Sequence, residues 1–419
     1  MTTALELPVQ PELRTGSAPR LTARRLLFAA AGLVVALSLV RVVTGAQDVT
    51  SSGTIRAALQ LAVPIGLAGL GGLWAERAGV VNIGLEGMMI LGTWFGAWAG
   101  YQWGPWTGVL VGVLGGALGG LLHALATVTF GVDHIVSGVA INILGAGVTR
   151  YLSVVFFTGT PGGGATQSPT VGDITAISVP GLSNWLGAVE RHQWFLVSDL
   201  AGILRGLTTG LSLLTVLAVV LVPLSYYLLW RTAFGLRLRS CGENPVAAES
   251  LGINVYRMKY AAVVISGACA GLGGVYLVTV ASSIYREGQT AGRGYIGLAA
   301  MIFGNWRPGG LAAGASIFGY ADGLQLRQGE AVHALLLFVA LILAVLAVRN
   351  LLRRRVVAAL VAVLAAGAFL GWFLLSDTVP SQFVTYTPHI VTLLVLSAAA
   401  QRLRPPAADG LPYRRGQGA

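Results

Sequence analysis

The chain carries little charge and almost no lysine. Acidic and basic residues make up 10% of its 419 residues, whereas soluble domains carry about 25%. The one lysine, Lys259, stands in the segment RMKY. A phosphate-binding loop of the type G-x-x-x-x-G-K-[ST] needs a lysine directly before Ser or Thr. The sequence therefore excludes a P-loop ATPase site within this chain.

Cysteine and histidine are also scarce, and neither is arranged for chemistry. The two cysteines, Cys241 and Cys269, are too few for a disulfide framework or a metal quartet. The five histidines lack the spacing of metal ligands, at His123, His134, His192, His333 and His389. The paired carboxylates, or the nucleophile and base, of an enzyme acting on lipid are missing too. We therefore expect no metal, no cofactor and no catalytic residue.

Apolar residues, in contrast, are abundant. They make up 55% of the sequence, and the mean hydropathy is +0.75. Runs such as 26–43, 106–128 and 356–375 are long enough, at about 1.5 Å per residue, to cross a hydrocarbon core about 30 Å thick. The strict alternation typical of barrel strands is absent. The predicted fold is therefore all-α, a polytopic transmembrane helical bundle.

The 58 glycines fit the same interpretation. Small residues let helix backbones approach each other closely in a membrane, where glycine is tolerated inside helices. Four glycines recur at intervals of four, at Gly108, Gly112, Gly116 and Gly120. This ladder predicts a face for helix packing.

The apolar runs predict about twelve spans, and the charges predict their orientation. Cations of membrane proteins collect in cytoplasmic loops, and most of the 27 cations of this chain fall on one side of the trace, together with both termini. The net charge of +11 is therefore a topology signal and not a nucleic-acid-binding surface. The predicted spans are 26–44, 57–75, 79–99, 106–127, 135–157, 208–230, 259–281, 295–304, 310–326, 332–348, 356–375 and 388–401. The predicted segments are cytoplasmic tails at 1–25 and 402–419, a transmembrane domain at 26–401, and an extracellular loop at 158–207 that is either a docking surface or a connector.

Two segments of the chain resemble each other. AGVVNIGLEGMM begins at Ala78, and AGRGYIGLAAMI begins at Ala291. In the trace the first copy starts inside and the second outside, as an inverted repeat requires. Chance similarity between two glycine-rich apolar segments is the alternative.

One polar phrase, CGENPVAAESLGIN, stands out in this apolar chain. Asn244 suits a helix N-cap, Pro245 suits the first helical position, and Gly252 suits the left-handed residue after the helix. The sequence predicts a short capped cytoplasmic helix that exposes Ala247, Ala248 and Ser250. Such a helix is either a docking element for another protein or an ordinary amphipathic loop helix.

The surrounding sequence resembles a known family. FGLRLRSCGENPVAAESLGINVYRMKY is similar to the cytoplasmic coupling loop of permease subunits of ABC importers, in the branch that carries simple sugars and nucleosides. ERAGVVNIGLEGMMILG, TAGRGYIGLAAMIFGNWRPGG, YADGLQLR and RPPAADGLPYRR resemble the nucleoside-type permeases. The similarity runs from about residue 55 to the C-terminus.

The resemblance implies a binding-protein-dependent inner membrane component of bacteria, and partners for it. These are a second related permease, a cytosolic ABC ATPase that hydrolyses the ATP, and an extracellular lipid-anchored solute-binding protein. The implied coupling loop is 231–258, with ATPase-coupling residues Glu243, Asn244, Pro245, Ala247, Ala248, Glu249 and Gly252. In one departure from the family, an added helix pair at about 329–375 joins ten family-like spans. The role of this pair does not follow from the sequence.

A substrate site is predicted from polar residues inside spans. A carboxylate in a membrane segment costs about 2.5 to 3.5 kcal/mol on insertion scales, so Glu86 is expected to face a cavity. Asn82 precedes it by one helical turn, and Asn142 lies at the same depth in its own span. Trp94, Tyr295 and Phe303 are candidate stacking faces for a nucleobase. Alternatively, the asparagines tie helices together by hydrogen bonds and Glu86 has a structural role.

The sequence therefore predicts a permease subunit that forms the translocation path for nucleosides. A simple-sugar permease of the same branch is the alternative. Branched-chain amino acids are the least favoured of the three substrate classes. A proton-coupled secondary transporter with Glu86 as its proton site is a further alternative. Uptake that needs an ATPase partner distinguishes the importer from that carrier.

Overall fold

The computed structural model describes residues 23–327, 329–380, 384 and 403–416. Its helices are α1 (Ala23–Thr44), α2 (Ser52–Arg77), α3 (Leu85–Trp103), α4 (Pro105–Ala124), α5 (His134–Phe157), α6 (Leu182–Arg191), α7 (Val197–Thr208), α8 (Leu213–Arg231), α9 (Ala233–Glu243), α10 (Pro245–Ser250), α11 (Val255–Tyr276), α12 (Arg293–Phe303), α13 (Pro308–Gln325), α14 (Gly329–Leu352) and α15 (Val356–Leu375). Single wide turns extend α4 and α11, at Leu125–Thr129 and Leu277–Ser282. A short 3-10 helix follows α1, at Gln47–Val49. The strands β1 (Ala176–Ile177) and β2 (Leu211–Ser212) pair antiparallel.

The predicted all-α membrane bundle agrees with these helices, but the number of spans is not confirmed. Seven helices of the described chain are long and apolar enough to cross a membrane: Ser52–Arg77, Pro105–Thr129, His134–Phe157, Leu213–Arg231, Val255–Ser282, Glu330–Leu352 and Val356–Leu375. Shorter apolar helices run over Ala30–Thr44 and Arg293–Phe303. The predicted span at 388–401 lies outside the described residues.

Glycine faces hold the central helices together, as the sequence predicted. A methyl group placed on Gly116 of α4 would lie against the Gly267 carbonyl oxygen and 2.5 Å from the Gly271 Cα atom of α11. Gly108 of the same face lies against Gly96 and Gly100 of α3. The backbones of α3, α4 and α11 are therefore close enough that only glycine fits between them.

The central helices repeat one packing pattern. α2 packs antiparallel against both α11 and α13, while α11 packs antiparallel against α4. α3 contacts α11, and α12 contacts α2. In this pattern α11 takes the place of α2, α12 that of α3, and α13 that of α4. The α2–α13 contact then corresponds to the α11–α4 contact, and the α3–α11 contact corresponds to the α12–α2 contact. This correspondence supports the predicted inverted repeat, because α3 and α12 are the helices that begin in the two similar segments.

Both repeated segments interrupt the helical path. Gly79, with φ +80°, ends the run of α2, and the chain then turns through 80–84 before α3 begins. Gly292, with φ +76°, is the residue before α12, and 283–291 runs without a regular helix. α12 is therefore a half-length helix whose N-terminus opens inside the bundle.

The predicted extracellular loop at 158–207 contains two helices that were not predicted from the sequence. α6 and α7 pack against each other, and α7 also packs on α2. The Arg41 Nε atom lies 2.6 Å from Asp199 Oδ1 in a buried ion pair between α1 and α7. A buried charge needs such a partner, so this loop is fixed to the bundle.

The helix pair that was predicted to be an addition to the family forms a hairpin of α14 and α15. α14 and α15 pack against each other, and α14 also packs against α1. A small cluster around Ala334 of α14 includes Leu37 and Val40 of α1. The pair is therefore attached to the bundle through α1, the short helix that follows α1, and α13.

Candidate substrate site and coupling surface

Glu86 lies in the first turn of α3 and holds the start of α12. Its Oε1 atom accepts the Gly292 N–H at 2.9 Å, and its Oε2 atom accepts the Gly294 N–H at 2.7 Å. The residue is 7% exposed. The first N–H groups of a helix have no intrahelical partner and carry partial positive charge. The carboxylate therefore meets a positive helix end, which offsets the cost of its burial.

Asn142 of α5 joins this group. Its Oδ1 atom accepts the Gly87 N–H at 2.7 Å, and its amide donates to the Ile83 carbonyl at 3.1 Å and to the Tyr295 hydroxyl at 2.9 Å. Since the Tyr295 oxygen accepts this bond, its own proton can be donated to another group. Tyr295 is 46% exposed. It is the most accessible part of this cluster of Glu86, Asn142 and Tyr295.

Asn82 does not share a helical face with Glu86, contrary to the prediction from the sequence. α3 begins at Leu85, and Asn82 lies in the preceding turn. Its Oδ1 atom accepts the Gly84 N–H at 3.1 Å, and its amide donates to Ser266 Oγ at 2.8 Å. Asn82 therefore connects this turn to α11.

Two predicted stacking residues lie away from this cluster. Trp94 is buried, and its indole N–H donates to Ser153 Oγ at 3.0 Å. Phe303 is at the other end of α12, where its ring lies 6.1 Å from the Phe318 ring. Of the three predicted stacking faces, only the Tyr295 ring lies beside Glu86 and Asn142.

The predicted capped helix is present as α10. Asn244 Oδ1 accepts the Ala247 N–H at 3.0 Å, Pro245 is the first helical residue, and Gly252 has φ +80°. A helix of six residues leaves most of its terminal backbone N–H and C=O groups without hydrogen-bond partners. The capping side chain and the left-handed glycine help to satisfy these groups. The local prediction is confirmed.

The predicted exposed face of α10 needs one correction. Ala248 is 1% exposed and packs against Cys241 of α9 and Val255 of α11. Ala247 and Ser250 are exposed as predicted. Leu251 is 81% exposed. The accessible surface of α10 is therefore centred on Ala247, while Ala248 anchors the helix.

The C-terminal segment 403–416 lies on this loop, a contact that was not predicted from the sequence. The Ala408 N–H donates to the Gly242 carbonyl at 2.8 Å, and the Ala407 N–H donates to Glu243 Oε2 at 3.2 Å. Glu249 Oε1 lies 3.3 Å from the Arg415 Nε atom. Two predicted coupling residues, Glu243 and Glu249, therefore contact the tail of the same chain. The sequence motif RPPAADGLPYRR, which resembles the family, was the one feature that singled out this tail before the structure was known.

Asp409 in this tail is an unusual carboxyl group. It lies beside the buried Glu76 carboxyl at the end of α2, and it interacts electrostatically with the cations Lys259 and Arg77. Its Oδ1 atom is buried without a hydrogen-bond partner among the described residues. Burial raises the pKa of Asp409 to about 7. The docked tail therefore favours the protonated form of Asp409.

We expect docking of the tail to weaken as the pH rises. Released Asp409 has an ordinary pKa of about 3.9, so docking binds a proton and is favoured below that value. Its stability falls until the pH passes the docked pKa of about 7. Protection of the Ala408 N–H from hydrogen exchange should fall by up to about tenfold per pH unit in this window. Asp409→Asn should weaken this dependence, because the buried Glu76 carboxyl is then the one that remains of this pair, and equal pH profiles for both chains would contradict the assignment.

Comparison with known proteins places these features in a family. The family model described as "Branched-chain amino acid transport system / permease component" matches residues 54–348. The guanosine ABC transporter permease protein NupQ of Bacillus subtilis is 32% identical, over 87% of this chain and 97% of that protein. The nucleoside ABC transporter permease protein NupC of Lactococcus lactis is 33% identical, over 84% of this chain and 93% of that protein.

A third relative is named for a different substrate. The putative glucose ABC transporter permease protein TsgC13 of Haloferax volcanii is 33% identical, over 66% of this chain and 78% of that protein. No solved structure matches the chain.

Proposed function

The chain belongs to the permease-component family described for branched-chain amino acid transport systems, and we propose that it is the permease subunit of a bacterial ABC importer for nucleosides. The observation that carries the proposal is the match to nearly the whole guanosine permease, over 97% of its length. Its partners in this proposal are a second permease, cytosolic ABC ATPase subunits and an extracellular lipid-anchored binding protein. ATP is hydrolysed by the ATPase, and the permease itself uses no cofactor.

The proposed topology is a multi-pass protein of the inner membrane. Twelve spans with cytoplasmic termini place α10 and the tail on the side of the ATPase. The arginines around α10 support this orientation, because cations collect on the cytoplasmic side. Arg237 and Arg257 are exposed there.

The proposed substrate path runs along α5 and α12. Tyr295 offers an aromatic face for a nucleobase and a hydroxyl proton for a polar group of the nucleoside. Asn142 fixes the orientation of that hydroxyl at 2.9 Å, and Glu86 fixes the helix that carries Tyr295. A rigid aromatic anchor beside a few oriented polar groups is typical of small-molecule sites.

A simple sugar is the second candidate substrate, and the similarity to the putative glucose permease favours it. Sugars also stack on aromatic rings and bind hydroxyl groups, so the cluster at Tyr295 does not separate the two classes. Direct competition separates them. Excess guanosine should block uptake of labelled adenosine, while excess glucose should leave it unchanged.

The test is uptake into vesicles that contain the complete importer. Tyr295→Phe removes one hydroxyl and should raise the KM for guanosine by about fivefold, since a hydrogen bond contributes about 1 kcal/mol. Tyr227→Phe in α8 is the matched control, because this exposed tyrosine lies on another helix. Glucose uptake without guanosine uptake would contradict the substrate class. Uptake that follows a proton gradient without any ATPase would contradict the importer itself.

A further inference from the structure

The C-terminal segment 404–416 connects three separated parts of the chain. It contacts the α9–α10 loop, the turn before α3, and the turn between α12 and α13. None of these elements is adjacent to it in sequence. A segment without a regular helix of its own therefore joins the proposed ATPase-docking helix to the first repeated segment and to the turn that follows the second.

The first contact seats the tail on α9 and α10. The Ala408 N–H donates to the Gly242 carbonyl at 2.8 Å. Tyr413 packs on the buried cluster of Cys241, Ala248 and Val255. Ala248 is the buried anchor of α10, so Tyr413 lies behind the docking helix and not on its exposed face.

The second contact reaches the turn before α3. Gly79 has φ +80°, and a Cβ atom placed on it would lie 3.1 Å from the Ala408 carbonyl oxygen. A Cβ atom on Gly410 would lie 3.4 Å from Val81 Cγ2. Lys259 Nζ lies 3.5 Å from the Gly79 carbonyl oxygen and 5.9 Å from the centre of the Tyr413 ring. The turn, α11 and the tail therefore form one packed unit.

The third contact is at the end of α12. The Arg404 N–H donates to Asn305 Oδ1 at 2.8 Å. Asn305 stands in the turn that follows α12, and it has φ +54°. Glu76, which faces Asp409, also accepts the Trp306 indole N–H at 2.5 Å. The tail is thus attached to α12 through this turn as well as to the turn before α3.

These two turns lead directly to the substrate cluster. The turn 78–84 continues into α3 and Glu86, and the turn 304–307 ends the helix whose start Glu86 holds. α10 by contrast is short, and the exposed Gly252 separates it from α11. Its buried Ala248 packs on Cys241 of α9 and Val255 of α11, and Tyr413 of the tail packs on the same cluster, so the tail connects α10 to both turns.

We propose that residues 404–416 form a strap that transmits the movement of α10 to the turns flanking α3 and α12, and so couples the ATPase to the substrate path. The inference rests on the proposed function, in which α10 docks the ATPase. The strap adds the mechanical connection between that helix and the substrate cluster. It packs behind α10 on Ala248 and leaves the exposed surface around Ala247 uncovered.

The test removes the strap from the complete importer by ending the chain after Arg402. The ATPase should still co-purify with the permease and hydrolyse ATP. Uptake should fall at least tenfold, and the ATP hydrolysed per nucleoside should rise by the same factor. Uptake at the full rate without the strap would overturn the inference. Loss of the ATPase would also overturn it, since the tail would then be a docking element.

Point variants repeat the test within a full-length chain. Tyr413→Ala removes the packing behind Ala248 and should lower uptake several-fold with the ATPase still bound. Leu411→Ala is the matched control, because Leu411 is 56% exposed on the same segment. Equal uptake by the two variants would contradict the strap.

Two native cysteines report whether the bundle remains folded. Cys241 is buried beneath the tail, and Cys269 lies within α11. Release of the strap should make Cys241 reactive towards a maleimide while Cys269 stays unreactive. An unreactive Cys241 in the shortened chain would show that the tail does not cover this loop, against the inference. A wild-type importer that binds no ATPase would instead refute the proposed function.

Discussion

Replacing Ala247 with arginine should abolish ATP-driven uptake and release the ATPase from the permease. Ala247 is exposed on the accessible side of α10, between the exposed Val246 and Leu251. In the proposed function this surface enters a groove of the ATPase, where a long charged side chain cannot be buried without a partner. Central interface residues cost about 2 kcal/mol or more when disrupted. This predicts at least about a thirtyfold loss of ATPase affinity.

Co-purification of the ATPase with the permease measures this effect. Ala247→Ser keeps a small side chain and should retain both binding and uptake. Ala248→Arg is the contrasting variant, since it would place a charge in the buried cluster with Cys241 and Val255. We expect it to unseat α10 and to expose Cys241 to a maleimide, whereas Ala247→Arg leaves Cys241 protected. An Ala247→Arg chain that still holds its ATPase would contradict the docking role.

The sequence predicted α10 because its signals are local. A capping asparagine, a proline at the first position and a terminal glycine act within one short segment, independently of the rest of the fold. The exposed face was partly wrong for a geometric reason. Successive helical residues point about 100° apart, so the orientation of α10 that exposes Val246 and Ala247 turns Ala248 towards α9 and α11.

The cluster of the proposed substrate site was predicted in part. Glu86 and Asn142 were correctly predicted to lie close together, because both were expected at the same depth in the membrane when counted from the same side. Asn82 was misplaced because the helix was assumed to run through Gly84, whereas α3 begins at Leu85. The Trp94 indole could not be assigned from sequence, because its partner Ser153 is on another helix. Periodicity predicts which residues share a helix, but not which helices meet.

The tail contacts show the same limit more strongly. Ala408 and Gly242 are far apart in the chain, and neither has a side chain that signals a partner. The glycines of the turn before α3 and of α9 permit the close approach, but a glycine in an apolar chain is equally compatible with helix packing or with an isolated tight turn. Such contacts follow only from the assembled bundle.

Replacing Glu86 with glutamine should destabilise the start of α12 and lower uptake at least tenfold. The carboxylate accepts the Gly292 and Gly294 N–H groups with one oxygen each. Glutamine keeps one acceptor oxygen, turns an NH2 group towards the other N–H, and removes the negative charge at the helix end. Losing a charge-assisted hydrogen bond in a buried place costs about 2 kcal/mol. The variant should therefore unfold at a lower temperature than the wild type.

The two roles available to Glu86 give different results in this experiment. If Glu86 contacts substrate, its replacement should raise the KM for guanosine and leave the unfolding temperature unchanged. If Glu86 holds α12 in place, its replacement should lower both the unfolding temperature and the maximal uptake rate, because the Tyr295 hydroxyl moves with that helix. Glu287→Gln is the matched control, since its ion pair with Arg150 is largely exposed and such pairs contribute about 0 to 1 kcal/mol. The bonds to Gly292 and Gly294 favour the second result, and wild-type stability in Glu86→Gln would refute it.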